Sequence, residues 1–116
     1  MAYDLRPLQA LNLWHDVMLA LVHDDGRDLS TRQWAVLMTV YLEPPPHTVR
    51  DLARKLGVTK PVITRALDTL GAQKLVSRRR DETDKRNVII QRTVEGTLAL
   101  DHLADIFVLQ TRNLPR

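Results

Sequence analysis

The side chains that most often perform covalent chemistry are missing from this sequence or scattered through it. Cysteine is absent, which excludes a disulfide framework, a thiolate metal site and a thiol redox sensor within these residues. His15, His23, His47 and His102 do not share the i, i+4 spacing that places two imidazoles on one helix face for a metal. Asp24, Asp25 and Asp28 gather near His23, but they read as a loop and helix-end cluster and not as an acid pair facing across a cleft. No nucleophile stands in a motif with a base and an orienting partner. The expectation is a protein with no catalytic residue, no metal and no cofactor.

What remains is charge, and its placement is uneven. The net charge is only +3, yet residues 1–47 hold three Arg/Lys against six Asp/Glu, residues 48–93 hold twelve against five, and residues 94–116 hold two against three. A basic middle segment between slightly acidic flanks is the electrostatic footprint of a module that binds a polyanion. A solvated basic face is the alternative that charge alone leaves open. Within the segment the groups suited to recognition fall into two clusters. Thr59, Lys60, Pro61, Thr64 and Arg65 lie within seven residues, and Arg78, Arg79, Arg80, Lys85 and Arg86 follow, interrupted by Asp81, Glu82 and Asp84.

The elements that must position these clusters are well punctuated. Leu8, Leu11, Trp14, Met18 and Leu21 recur at helical spacing between Leu5 and Val22, and the run His23-Asp24-Asp25-Gly26 stops that helix. Ser30 and Gln33 form a capping box for a second helix carrying Trp34, Leu37, Met38 and Tyr41, which Glu43-Pro44-Pro45-Pro46 ends. Thr48 caps a short third helix with Val49, Leu52, Ala53 and Leu56 inward, closed by Gly57. Thr59 then caps a fourth helix, with Pro61 in its first turn and Ile63, Ala66, Leu67 and Leu70 as its buried stripe. Leu75 to Arg79 and Asn87 to Gln91 read as the strands of a β-hairpin around the charged stretch 80–86. Thr93 caps a last helix whose Leu98, Leu100, Leu103, Ile106, Phe107 and Leu109 cover more of the circumference than one core-facing stripe needs.

The predicted fold is therefore mainly α with a small β-hairpin: a winged helix-turn-helix, in which two helices joined by a tight turn precede a basic wing. Such an arrangement recognises without reacting. The major groove of duplex DNA admits one α-helix, so short or hydrogen-bonding side chains at the exposed N-terminal half of the fourth helix would meet base edges. Thr59, Lys60, Pro61, Thr64 and Arg65 occupy those positions. The wing residues Arg78, Arg80, Lys85 and Arg86 suit phosphate and minor-groove contact, with Asp84 read as the carboxylate that aims an arginine.

These residues closely resemble a known family. Leu29-Ser30-x-x-Gln33-Trp34, Thr48-Val49-x-x-Leu52-Ala53-x-x-Leu56-Gly57-Val58-Thr59-Lys60-Pro61-x-x-Thr64-Arg65-x-Leu67-Asp68-x-Leu70, Leu75-Val76-x-Arg78, Asp84-x-Arg86 and Thr93-x-x-Gly96 are similar, in order and spacing, to the MarR family of bacterial regulators. The resemblance covers about two thirds of the chain. It implies a homodimer held by the N- and C-terminal helices, with two winged lobes on a pseudo-palindromic operator. It also implies a small, often aromatic ligand bound between the dimer region and the DNA-binding lobe that weakens DNA affinity. In that frame residues 1–116 form a single winged helix-turn-helix domain, with dimerisation helices at 1–26 and 94–116 and the DNA-binding lobe at 30–93. Leu8, Leu11, Trp14, Leu100, Leu103 and Phe107 are the candidate dimer contacts, and double-stranded DNA is the expected partner.

Three positions depart from the family pattern. Lys74 stands where glycine commonly precedes the Leu-Val of the first wing strand. A left-handed turn there would be strained by roughly 1 kcal/mol, so a different local turn is expected. Arg92 replaces a buried leucine, which predicts a looser wing base or an arginine directed outward. The residues after Thr93 allow one C-terminal helix of about 30 Å, where the family usually carries a further one.

Length and composition agree with this reading. A chain of 116 residues suits one domain, and four glycines are too few for a loop-rich β-sandwich. No secretory signal and no apolar run of membrane-spanning length is present, so the expected location is the cytoplasm. The rival function is a winged helix that docks a protein and binds no DNA; five basic residues around the wing argue against it, although an acidic partner would also suit them.

Overall fold

The computed structural model describes residues 4–24 and 27–114. Along the chain these form α1 (Pro7–His23), α2 (Thr31–Leu42), β1 (His47–Thr48), α3 (Val49–Leu56), α4 (Lys60–Ala72), β2 (Val76–Arg80), β3 (Val88–Arg92) and α5 (Val94–Arg112). α2, α3 and α5 start where a side chain replaces a missing backbone partner. Gln33 N donates to Ser30 Oγ at 3.1 Å while Ser30 N donates to Gln33 Oε1 at 2.8 Å, the reciprocal pair of a capping box. Asp51 N donates to Thr48 Oγ1 at 3.1 Å, and Gly96 N to Thr93 Oγ1 at 2.9 Å. α1 ends at Asp24 in extended backbone; the glycine stop expected at Asp25-Gly26 lies outside the described residues.

The chain divides into two compact units, residues 1–28 with 101–116, and residues 29–100. The first turns of α5 thus belong with the lobe and not with the terminal helices. In the lobe, Val36, Leu37 and Val40 of α2, Leu52 of α3, Ile63, Leu67 and Leu70 of α4, and Leu75 before β2 share one buried cluster. Burying each such side chain contributes about 1.5–3 kcal/mol.

The hairpin is part of a three-stranded antiparallel sheet in the order β1-β3-β2. Both wing strands run one residue later than expected, and β1, too short to show a period in the sequence, pairs His47 with Ile90 and Thr48 with Ile89. In the β2–β3 register, Arg78 faces Ile90 and Arg80 faces Val88. Ile90 is buried, so Arg78 and Arg80 stand on the core-side face and Arg79 on the opposite one.

Two local expectations are corrected. Lys74 does adopt the left-handed conformation, with φ 62°. Leu75 N donates to Leu70 O and Lys74 N to Gly71 O, both at 2.9 Å, which is the Schellman pairing that closes a helix, and Thr93 Oγ1 donates to Lys74 O at 2.7 Å. Burying Leu75 requires that turn, so packing overrides the residue's own preference. Lys74→Gly should therefore raise stability by about 0.5–1 kcal/mol, because removing a left-handed penalty of about 1–2 kcal/mol outweighs glycine's extra unfolded-state entropy. A urea titration that found Lys74→Gly neutral or destabilising would contradict the strain.

Arg92 is exposed, as expected of an arginine that is not buried, but it is not loose. Its Nε donates to Val40 O at 2.8 Å and its Nη2 to Glu43 O at 3.0 Å, while the guanidinium lies 5.8 Å from the centroid of the Tyr41 ring. Val40 O would take its helical partner from residue 44, which is proline and has no N–H. Arg92 supplies the missing donor and caps α2 from the wing.

In the terminal unit Val17 and Leu103 are buried. Trp14 and Phe107 stack with ring centroids 6.1 Å apart and planes 24° apart. His102 Nε2 and Asp24 Oδ2 approach to 2.9 Å, joining α5 to the end of α1.

Candidate nucleic-acid interface

The turn between α3 and α4 is set by Gly57, whose φ of 68° lets its N–H reach back to Ala53 O and Arg54 O. Val58 N donates to Ala53 O at 3.0 Å. Thr59 is the N-cap of α4, with ψ 160° and no cap bond from its side chain, and Pro61 occupies the first turn. Ile63, Ala66, Leu67 and Leu70 are buried, and Thr59, Lys60, Pro61, Thr64 and Arg65 are exposed. The five residues singled out from the sequence therefore share the outer side of the N-terminal half of α4, where first-turn N–H groups are unpaired.

The wing residues separate into a base and a tip. Arg78 Nη1 pairs with Asp68 Oδ1 at 2.9 Å, tying β2 to the C-terminal half of α4. Arg80 reaches across the hairpin, its Nη1 3.5 Å from Lys85 O. At the tip, Asp84 Oδ1 accepts from both Arg86 N and Arg86 Nε at 3.2 Å, so the carboxylate is placed to hold the guanidinium in one orientation. Asp81 Oδ1 accepts from Thr83 N at 3.0 Å and Thr83 Oγ1 at 2.8 Å. The Thr83 hydroxyl, and next the Thr83 amide, hold the Asp81 carboxyl below its ordinary value of 3.8. A depressed carboxyl favours the ordered tip at pH above the ordinary value and loses that contribution only as pH falls through the lowered one. Lys85 and Arg86 are exposed.

Sequence reasoning missed the partners more than the cations. Asp68 as the anchor of Arg78 carried no local signal, since the pair forms only when β2 folds back on α4. Asp81-x-Thr83 did carry one, the Asx-turn pattern. The six candidate dimer residues are not equally placed. Leu8 and Leu11 are 69% and 66% exposed and Trp14 is 49% exposed, whereas Leu103 is buried at 8% and Leu100 packs on the lobe core. Phe107 is half-buried against Trp14. Leu98, Val108 and Leu109 of α5 are exposed instead.

Among the described residues no group of three or more His, Cys, Asp or Glu could hold a metal ion, and no helix is long and apolar enough to cross a membrane. The helix, tight turn, helix and three-stranded wing define a winged helix-turn-helix. The sequence pattern of the MarR family matches residues 27–87, more than half of the chain. The chain belongs to the MarR family. It is 37% identical over 78 residues to the HTH-type transcriptional repressor YetL of Bacillus subtilis, an alignment covering 66% of this chain and 46% of YetL; the chain thus spans about half of that relative's length. Its fold matches an S. aureus MepR–DNA complex with a TM-score of 0.75 and 22% identity, over 91% of this chain and 84% of that one. It also matches the PcaV regulator of Streptomyces coelicolor in complex with its natural ligand, with a TM-score of 0.66 and 22% identity, over 97% and 81% of the two chains.

Proposed function

We propose that this chain is a transcription regulator that binds duplex DNA sequence-specifically in the cytoplasm, as a homodimer on a pseudo-palindromic operator. The observation that carries the reading is the division of α4, whose apolar stripe is buried while Thr59, Lys60, Pro61, Thr64 and Arg65 are presented outward at its N-terminal half. Arg80, Lys85 and Arg86, the last aimed by Asp84, add phosphate and minor-groove contacts, and Arg78 holds the wing to α4. YetL is a repressor and the MepR structure holds DNA, which supports the same partner here. PcaV is seen with its ligand, and we extend to this chain the reading that a small, often aromatic ligand lowers DNA affinity.

Selection from a random duplex pool is the direct test. A two-fold symmetric motif should be enriched, and affinity for it should fall by roughly 10³–10⁵ between 50 and 200 mM salt if about 6–10 phosphates are contacted. No enrichment, with binding flat across that range, would favour the protein-docking alternative.

The homodimer rests on the apolar side of α1, where Leu8, Leu11, Met18 and Val22 lie exposed at helical spacing. Faces of this extent mark interfaces. Wild type should sediment as a dimer at micromolar concentration, and Leu8→Asp combined with Leu11→Asp should give a monomer of unchanged helicity. A wild-type monomer that persists with the selected duplex present would refute the dimer.

A further inference from the structure

Beside the recognition helix lies a cleft that none of the residues assigned above explains. It is open, with a volume of about 170 Å³, and it runs between the first turn of α2 and the flank of α4, lined by Ser30, Arg32, Gln33, Val62, Arg65 and Thr69. Its polar groups are unbalanced in one direction. Ser30 Oγ and Gln33 Oε1 already accept the amides of Gln33 and Ser30 in the capping box, which leaves the Ser30 hydroxyl proton and the Gln33 amide protons to donate outward. Arg32 and Arg65 are exposed, no carboxylate lines the cleft, and among the described residues neither guanidinium forms an ion pair. The nearest acid along α4, Asp68, is engaged by Arg78. Thr69 Oγ1, whose proton goes to Arg65 O at 3.4 Å, adds one neutral acceptor to the wall, but a surface that offers the Arg32 guanidinium with the Ser30 and Gln33 donors and no carboxylate is complementary to a phosphate oxyanion.

We propose that Arg32 grips a backbone phosphate of the bound DNA, beside the base edges that α4 meets, making α2 a third point of DNA contact. The assignment rests on the DNA-binding reading of α4. The occupant is a phosphodiester of the duplex and not a free anion, because Arg65 on the opposite wall is the residue whose outer side faces the groove. A strand followed from that groove next meets Arg32. Gln33 and Ser30 fix the first turn of α2, so the guanidinium starts from a rigid base.

The test uses the duplex enriched from the random pool, with phosphates ethylated singly, against the full chain, Arg32→Ala and Arg32→Lys. For wild type, ethylation at one additional flanking phosphate per half-site should block binding. In Arg32→Ala that block should disappear while the others persist, affinity should fall several-fold on selected and unrelated DNA alike, and the salt slope should drop by about 0.9 per bound protomer. Arg32→Lys should restore the slope, and Arg32→Ala should melt with wild type because its side chain is exposed. An unchanged ethylation pattern and slope in Arg32→Ala, with wild type still binding, would overturn this assignment alone. Failure of wild type to enrich any duplex would overturn the DNA-binding reading, and this one with it.

Discussion

Gly96→Ala is expected to destabilise the lobe by about 3 kcal/mol or more, lowering the melting temperature by more than about 10 °C. A Cβ built on Gly96 falls on the Tyr41 hydroxyl and on Leu75 O, well inside van der Waals contact. Neither neighbour gives way cheaply. The Tyr41 hydroxyl proton is shared between Leu75 O at 2.8 Å and Thr93 O at 3.1 Å, and its oxygen accepts from Thr93 N at 2.8 Å. Leu75 O is backbone, fixed by the Lys74 turn and the burial of Leu75. Moving the phenol leaves part-buried backbone groups unpaired, and moving the backbone pulls Leu75 from the core. Tyr41→Phe alone should cost about 1–3 kcal/mol, because it leaves the part-buried Thr93 N–H and Leu75 O without their partner. In the Gly96→Ala background the same change should cost less, or stabilise, because it removes one of the two clashing oxygens. Denaturant titration of the four proteins measures both effects, and a Gly96→Ala protein within about 0.5 kcal/mol of wild type would contradict the packing described.

Much of the lobe was legible because its signals are local. Ser30 with Gln33, Thr48, Gly57 and Thr93 each settle a helix boundary through bonds made within four residues, Pro61 marks a first turn by lacking an N–H, and Ile63, Ala66, Leu67 and Leu70 mark the face that must be buried. The misreadings share a different cause. Lys74 departs from its own backbone preference because the burial of its neighbour Leu75 in the core, and the bond from Thr93 at the far end of the wing, hold the turn. Arg92 looked like a defect in an apolar position, yet it meets Val40 O, whose helical donor Pro44 removed; the proline run that ends α2 and the arginine that repairs it are 48 residues apart. β1 has two residues and no periodicity of its own, and it exists because β3 offers it an edge. The candidate dimer contacts divide for a similar reason: periodicity shows that α5 is apolar on several sides, but not that Leu100 and Leu103 turn toward their own chain.

Arg65→Ala and Arg86→Ala should damage DNA binding in different ways, because their surroundings differ. Arg65 is exposed on the outer side of α4, and under the proposed docking it would make a bidentate contact to guanine in the major groove. Its loss should cost about 1–3 kcal/mol on the selected duplex and relax preference at one position of each half-site. Arg86 is held at the wing tip by Asp84, through its own amide and its Nε, both 3.2 Å from one carboxylate oxygen. A guanidinium so aimed suits a narrow minor groove, where negative potential concentrates and width matters more than base identity. Arg86→Ala should weaken binding to many sequences and lower the salt slope, leaving the major-groove consensus intact. Asp84→Ala isolates the aiming itself: the positive charge stays and its orientation is lost, so the salt slope should hold near wild type while affinity drops less than in Arg86→Ala. Titrations of the three variants against the selected duplex, its single-base changes and unrelated DNA, each at two salt concentrations, separate these terms. If Arg86→Ala shifted base preference while Arg65→Ala left affinity and preference untouched, the division of labour between helix and wing would be reversed.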